Sequence, residues 1–365
     1  MISRLICSLS LIFVLSTVLA AVGCGPTSIP TPYVAEKFQI CTNGCHDPAI
    51  SGETVVWIEH RYNDDNLFAY NLSTQIEFPI CLYTFRPYPL GSNYIISGDI
   101  VVWEDDRNNV LFDDTGNCCE PYNIDIYGFN LSSLREFSIC TNLNVQGFPA
   151  ISGNTIIWTD GRNGNWTCCG QSTNLSIYGY NLSSHKEFPI YTNQNLESRS
   201  LISGNTMIFS VDNISTRDIY GYNISTQTAF FIRTMQPGDQ SEVFSEHILV
   251  WQDGRNDYID NNGAYISKSA IYCYDILTKR EFPICTDPAA QNNPAISGDI
   301  VVWQDGRNGT WDIYGYNIET QTEFPICTDP GEQVYPAISG NIVVWQDWRN
   351  NTTSIYGARL TFDNK

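Results

Sequence analysis

PAISGDIVVWQDGRNGTWDIYGYNIETQTEFPICT, residues 294–328, holds four short runs rich in Val, Ile, Tyr, Trp and Phe, each bounded by turn residues. Runs of this length and content, with polar and apolar side chains alternating, read as β-strands. We label them A to D. Ser-Gly-Asp between A and B supplies a positive φ, and the Asn that opens the C–D link offers a side-chain cap, so both connections read as tight hairpins.

The unit recurs. A strand-ending Ser is followed six residues later by a large aromatic at Ser51/Trp57, Ser97/Trp103, Ser152/Trp158, Ser203/Phe209, Ser245/Trp251, Ser297/Trp303 and Ser339/Trp345, at intervals of 42 to 55 residues. Such a period marks stacked or radial units. Four antiparallel strands repeated seven times predict an all-β chain folded as a seven-bladed β-propeller. The last unit stops after TSIYGARL without an EFPICT strand, and that strand stands instead at the front as EKFQICT (36–42). Residues 36–42 are therefore expected to complete the last blade as its outermost strand, closing the ring so that no sheet edge is left open.

Spacing separates scaffold from variable parts. From the strand C aromatic (Phe68, Tyr127, Tyr178, Tyr220, Tyr272, Tyr314) to the strand D Ile the distance is always 12 residues. From the strand B aromatic to the strand C aromatic it is 11 in blades 1, 4, 6 and 7 but 24, 20 and 21 in blades 2, 3 and 5. The D–A link also varies, with 17 residues from Ile80 to Ser97 against 13 in five other cases. In an up-down-up-down blade, B–C and D–A connections emerge on one face, so all length variation falls there. Variable loops on a rigid scaffold are where binding usually resides.

After each Trp runs WxDxR: Asp105/Arg107, Asp160/Arg162, Asp253/Arg255, Asp305/Arg307 and Asp347/Arg349, with Glu59/Arg61 as a variant. Alternate strand residues share a face, so indole, carboxylate and guanidinium can meet. Blade 4 has Val211 and Asn213 there, losing both partners together, which points to structural pairing. The competing reading is a ring of charges at the loop face, which makes these ten residues binding candidates.

No cofactor is required by any motif. Calcium is the one ion the acidic insertions offer to hold, through Asp253, Asp257 and Asp260 in blade 5, although EF-hand spacing is absent. Four histidines are scattered, and no nucleophile elbow, zinc motif or phosphate loop is present.

The 13 cysteines fall into groups. Cys41, Cys81, Cys140, Cys285 and Cys327 share one strand D position, where blades 3 and 4 have Tyr191 and Arg233, and read as packed thiols. Cys41 could reach Cys45, and Cys273 is expected across the hairpin from Cys285. Cys118-Cys119 and Cys168-Cys169 sit in neighbouring insertions on one face; bonds between the loops, vicinal bonds, free thiols and metal ligation all stay open. Sequons are numerous, but most restate the Asn-Leu-Ser turn. Asn165 and Asn174, in a non-repeated insertion, are the glycosylation candidates.

Residues 1–23 combine Arg4 with an apolar stretch and read as a signal peptide or N-terminal anchor. AVGC (21–24) is similar to a lipobox with Ala21 in place of the usual Leu, making Cys24 a lipidation candidate beside plain cleavage or an uncleaved anchor. Residues 24–35 read as a Pro-rich tether and 36–365 as the propeller. The expected location is extracytoplasmic, at a cell surface or in a periplasm-like space, with membrane contact only through the N-terminus. A net charge of −20 disfavours nucleic acid and anionic membrane surfaces.

ISGDIVVWQDGRNGTWDIYGYN and EFPICT resemble the TolB-like β-propeller repeats of exported proteins, particularly those of archaeal cell surfaces, over residues 36–365. The resemblance implies the fold and the compartment. Seven units rather than six, and no room in 24–35 for the separate N-terminal domain of the family's namesake, weaken transfer of its partners. The leading functional reading is a non-enzymatic, monomeric propeller that recognises an extracellular or envelope protein or glycan through the B–C/D–A face. An extracellular carbohydrate-active enzyme using carboxylates at the channel mouth, and a structural envelope component, are the alternatives.

Overall fold

The computed structural model describes residues 32–61, 64–81, 94–108, 123–166, 172–173, 175–192, 196–212, 216–259, 263–350 and 352–362. Seven four-stranded antiparallel sheets form a ring, and no helix occurs among the described residues. The chain is a seven-bladed β-propeller. In each blade strand A is innermost: Cys45–Ser51, Tyr94–Ser97, Gln146–Ser152, Leu196–Ser203, Gln240–Ser245, Gln291–Ser297 and Gln333–Ser339.

The ring closes as the sequence predicts. Pro32–Cys41 pairs antiparallel with the last strand, Ser354–Phe362, and so becomes strand D of blade 7. This strand takes in Pro32–Glu36 as well, reaching into the stretch read as tether. Arg359 closes the same junction with a two-pronged pair to Glu53 at 3.0 and 2.7 Å.

Burial follows the strand period. The six strand B tryptophans have no solvent exposure, and each lies opposite its strand C aromatic, as Trp303 does Tyr314 with ring centroids 6.5 Å apart. Seven buried apolar clusters fill the seven blade junctions. One of them joins Ile342, Val344 and Ile355 of blade 7 to Val55 and Trp57 of blade 1, so closure is a packed core as well as a hydrogen-bond ladder.

The turns use the expected chemistry. Asn71 Oδ1 accepts the amides of Ser73 and Thr74 at 3.1 and 2.9 Å, and Asn130, Asn181, Asn223 and Asn317 cap their C–D turns in the same way. The four of these that lie in sequons, Asn71, Asn130, Asn181 and Asn223, are therefore turn caps. The Gly of strand C has a separate reason: a Cβ on Gly128 would lie 2.7 Å from the Phe137 ring, which crosses it from strand D.

Two features were not foreseen. The long B–C links of blades 3 and 5 carry small ribbons, Asn165–Trp166 with Ser172–Thr173 and Tyr258–Ile259 with Tyr265–Ile266. The innermost strands also carry β-bulges, treated next.

Candidate functional site

The WxDxR residues meet as their spacing predicts. Asp305 accepts the Trp303 indole N–H at 2.8 Å, the Arg307 amide at 3.0 Å and the Arg307 guanidinium at 2.8 and 2.7 Å. Arg307 also reaches Glu323 of strand D at 2.5 Å and lies 4.2 Å over the Tyr314 ring. Asp105/Arg107, Asp160/Arg162 and Asp253/Arg255 repeat the set, and Asp347/Arg349 repeats it with Asp329 supplying the outer carboxylate where strand D has Lys37. Burial alone would raise the Asp105 and Asp253 carboxyls, but the arginine and indole donors outweigh it and hold both below the ordinary Asp range.

This geometry is that of the structural pairing and lends no support to the competing reading of a ligand-binding ring. Four of the five aspartates are wholly buried, and every carboxylate is saturated by its own blade. Asp253 in particular, accepting from Trp251 and Arg255, has no oxygen left for calcium. Asp257 instead accepts the Lys268 amide. Asp260 lies outside the described residues.

The strand D cysteines complete each junction. Arg162, Arg307 and Arg349 approach the thiols of the preceding blade, Cys140, Cys285 and Cys327, at 3.3, 3.3 and 3.5 Å. Burial pushes Cys140 and Cys285 up to about 12, which keeps them protonated and inert. Where blade 4 lacks the trio, Tyr191 of blade 3 fills in against Phe209, with centroids 4.6 Å apart. Arg233, in the cysteine position of blade 4, stacks 4.0 Å over Trp251 and pairs with Asp239 at 3.0 Å.

Cys41 and Cys45 form a disulfide across the closure junction, with Cα atoms 6.2 Å apart. Cys273 and Cys285 do not: strand register sets Cys273 opposite Phe282 and Cys285 opposite Ile271, and both are free and buried. Cys24, Cys118, Cys119, Cys168, Cys169 and Asn174 lie outside the described residues, and Asn165 is placed only as part of its ribbon.

The cavity that does present free chemistry was missed. At six blades the inner strand slips register just before its last three or four residues, for example between His46 and Ala49 or Asn292 and Ala295. Two residues there, or three in blade 4, oppose one on strand B, a β-bulge. The bulged residue adopts a left-handed conformation at Asp47, Phe148, Ser241, Asn293 and Tyr335, with φ of 51, 54, 57, 49 and 52°. Such non-glycine φ values cost of order 1–3 kcal/mol each and persist only where neighbours fix them.

The neighbours here are the residues between Trp and Asp of the preceding blade. Gln346 accepts the Asp47 amide at 3.3 Å, Gln304 the Tyr335 amide at 3.1 Å, and Glu104 the Phe148 amide. The bulges line a cavity of about 280 Å³ on the propeller axis, bordered by Asp47, Tyr94, Arg199, Ser241, Asn293 and Tyr335. A second cavity of about 180 Å³ opens between blades 4 and 5 and shares Arg199 and Glu242 with the first. The sequence did carry a signal. Read four places before each repeated Ser, the seven units give Asp47, Asn93, Phe148, Arg199, Ser241, Asn293 and Tyr335, variable residues in a constant frame.

No protein-family model matches the chain, and no curated protein matches its sequence. Solved structures do. The β-propeller domain of the Trilobed protease from Pyrococcus furiosus, described as having an open velcro topology, is similar at TM-score 0.61 and 12% identity, covering 88% of this chain and 96% of that one. An oligogalacturonate lyase in complex with manganese matches at TM-score 0.57 and 12% identity, covering 91% of this chain and 96% of that one. TolB from Acinetobacter baumannii matches at TM-score 0.44 and 12% identity, over 87% of this chain and 79% of that one. What these likenesses share is the propeller. Unlike the open ring in the protease's description, this one is closed by Pro32–Cys41.

Among the described residues, the one group of three His, Cys, Asp or Glu side chains close enough for a metal is Cys41, Cys45 and Glu59. Those cysteines are bonded to each other, and Glu59 accepts from Trp57 and Arg61. That donor set does not fit an ion.

Proposed function

We propose that this chain is an extracytoplasmic recognition propeller, built of TolB-like repeats, whose B–C/D–A face and the axial cavity beneath it bind an envelope protein or glycan. The supporting observation is that all loop-length variation falls at the end of the ring where Tyr and Trp side chains stand exposed, whereas the exposed apolar residues at the C–D turns of the other end, Ile76, Leu134 and Leu277, are aliphatic. Tyr258 and Ile259 stand exposed on the blade 5 ribbon, Trp348 on the blade 7 B–C link and Leu143 on the link into blade 3. An aromatic-bearing rim of this kind suits association, since Tyr and Trp bury large area at low entropic cost. The carboxylates near the axis favour binding over hydrolysis, because Glu242 is held by Arg217 at 3.0 Å and Asp47 by His46 at 2.9 Å. Protein and glycan arrays probed with residues 24–365, then with a variant lacking residues 110–124, test this reading. Capture that weakens on deletion is expected. Capture unchanged by it removes the insertion face from the site, and breakdown of an oligosaccharide places the chain among enzymes instead.

A further inference from the structure

Blade 4 departs from the repeat at three linked positions. Phe209 replaces Trp, Ser210 replaces the Gln, Glu or Thr usual at that place, and Arg199 occupies the bulge position. In blades 6 and 7 the long Gln side chain crosses to the next blade's bulge, and Ser210 is too short to do so. The space it leaves is the cavity between blades 4 and 5, floored by Leu201, Ile208, Phe209 and Ile219. Arg199 stands at the junction of this apolar recess and the polar axial cavity.

Charge at that junction is unbalanced. Glu242 is already paired with Arg217, and Asp47 with His46. Arg199 is exposed to the cavity, with no hydrogen bond or ion pair among the described residues. A planar, permanently charged fork left free in a cavity selects a carboxylate, which it can hold through two parallel hydrogen bonds. Asn293 and Ser241, on the same cavity wall, offer side-chain partners for amide groups.

We infer that the axial cavity takes the C-terminal carboxylate of a peptide whose last side chain is aliphatic, with Arg199 gripping the carboxylate and the blade 4/5 recess taking the side chain. This rests on the binding reading above and names the ligand for it. A sugar acid shares the carboxylate but brings hydroxyls rather than hydrocarbon to the recess, and leaving its apolar floor uncovered forfeits the hydrophobic contribution. About 180 Å³ accommodates a Leu or Val side chain.

Calorimetric titration of residues 24–365 tests the inference with four probes: N-acetyl-Gly-Leu, its C-terminal amide, N-acetyl-Gly-Gly and D-glucuronate. N-acetyl-Gly-Leu is expected to bind most tightly, and the amide at least about tenfold more weakly, as loss of a charge-assisted pair requires. Arg199→Gln should reduce N-acetyl-Gly-Leu to the level of the amide. Ser210→Gln, which restores a side chain other blades carry and so should fold, is expected to abolish the preference for Leu over Gly while leaving the carboxylate requirement intact. No binding by N-acetyl-Gly-Leu, or equal binding of its amide, overturns the proposal. So does tighter binding of D-glucuronate, which assigns the site to sugar acids. A chain that captures array partners through the insertion face yet ignores all four probes refutes this inference alone and leaves the broader reading standing.

Discussion

The Ser339 hydroxyl accepts the Gly52 amide at 2.9 Å, joining residues 287 positions apart. The repeated Ser makes the same bond to the following blade elsewhere, Ser51 to Gly98, Ser152 to Gly204 and Ser297 to Gly340, each at 2.9 Å. Blade 5 uses the Glu246 amide instead of a glycine. The recurring Ser is thus a stitch between neighbouring blades around the axis. Ser339→Ala and Ser51→Ala should each cost about 1 kcal/mol, the usual net worth of a neutral hydrogen bond. Urea denaturation measures both, and a loss at Ser339 several times that at Ser51 contradicts the equivalence of these junctions.

Removal of the closing strand should be far more damaging. A chain beginning at residue 42 loses the ladder to Ser354–Phe362, the Cys41–Cys45 disulfide, the Lys37–Asp329 pair and the Phe38 ring lying over Gly357. It also uncovers Ile355 and Leu360, which are otherwise fully buried. Compared with a chain beginning at residue 32, the melting temperature should fall by about 10 °C or more, which for a chain of this size corresponds to a loss of roughly 7 kcal/mol. Equal melting temperatures are incompatible with closure by this strand.

The Asp–Arg ring predicts a separation of stability from binding. Asp305→Asn leaves Arg307 without its main partner beside a buried indole, and should destabilise by about 3 kcal/mol, as broken buried pairs do. Binding of any partner at a temperature where the variant stays folded should be unchanged, because the carboxylate has no exposure. Paired urea melts and binding titrations decide it; weakened binding by a fully folded Asp305→Asn chain would return the ring to the list of ligand contacts.

The repeat made most of the architecture legible, because hairpin turns and the Ser-to-Trp interval are local and every blade solves the same packing problem. The closing strand was legible for a related reason: one unit lacked what the front of the chain supplied. The axial site was legible only as variable residues four places before each repeated Ser, since bulges arise from pairing between strands and the sequence does not mark them as such. The Cys273–Cys285 expectation failed on register: counted from the turn, Cys273 faces Phe282, and Cys285 lies further along the ladder opposite Ile271. At Asp253 a carboxylate that looks free in sequence is occupied by the indole of its own strand and by the guanidinium two residues past the strand's end, so the calcium expectation draws no support from it.

The buried thiols give an alkaline signature. Burial raises Cys140 and Cys285 to about 12, so the folded chain keeps both protons well above the pH at which an unfolded chain releases them. The unfolded state then binds fewer protons, and stability must fall as pH rises above the ordinary thiol range toward 12. Cys140→Ser/Cys285→Ser should flatten that decline in a series of urea melts from pH 8 upward. At pH 8, iodoacetamide should leave both thiols of the native protein unmodified and label them after unfolding; rapid labelling of the native protein contradicts their burial.

His46 and Asp47 should make the axial cavity sensitive to pH near neutrality. The hydrogen bond that the His46 imidazolium donates to Asp47 raises the imidazole, burial opposes it, and the charges of Asp47 and Asp65 add to the rise. A His raised in the folded state lends stability that is complete below its unfolded value, about 6.5, and is lost as pH climbs through the folded value. Titration of the His46 ring proton by NMR should give a midpoint above 6.5, and Asp47→Asn should bring it down. Above that midpoint Asp47 loses its positive partner and its charge opposes an anion entering the cavity. Affinity for N-acetyl-Gly-Leu should therefore weaken from pH 6 to pH 8 in the native chain, and much less in Asp47→Asn. A pH-independent affinity in the native chain would separate His46 from the cavity's electrostatics.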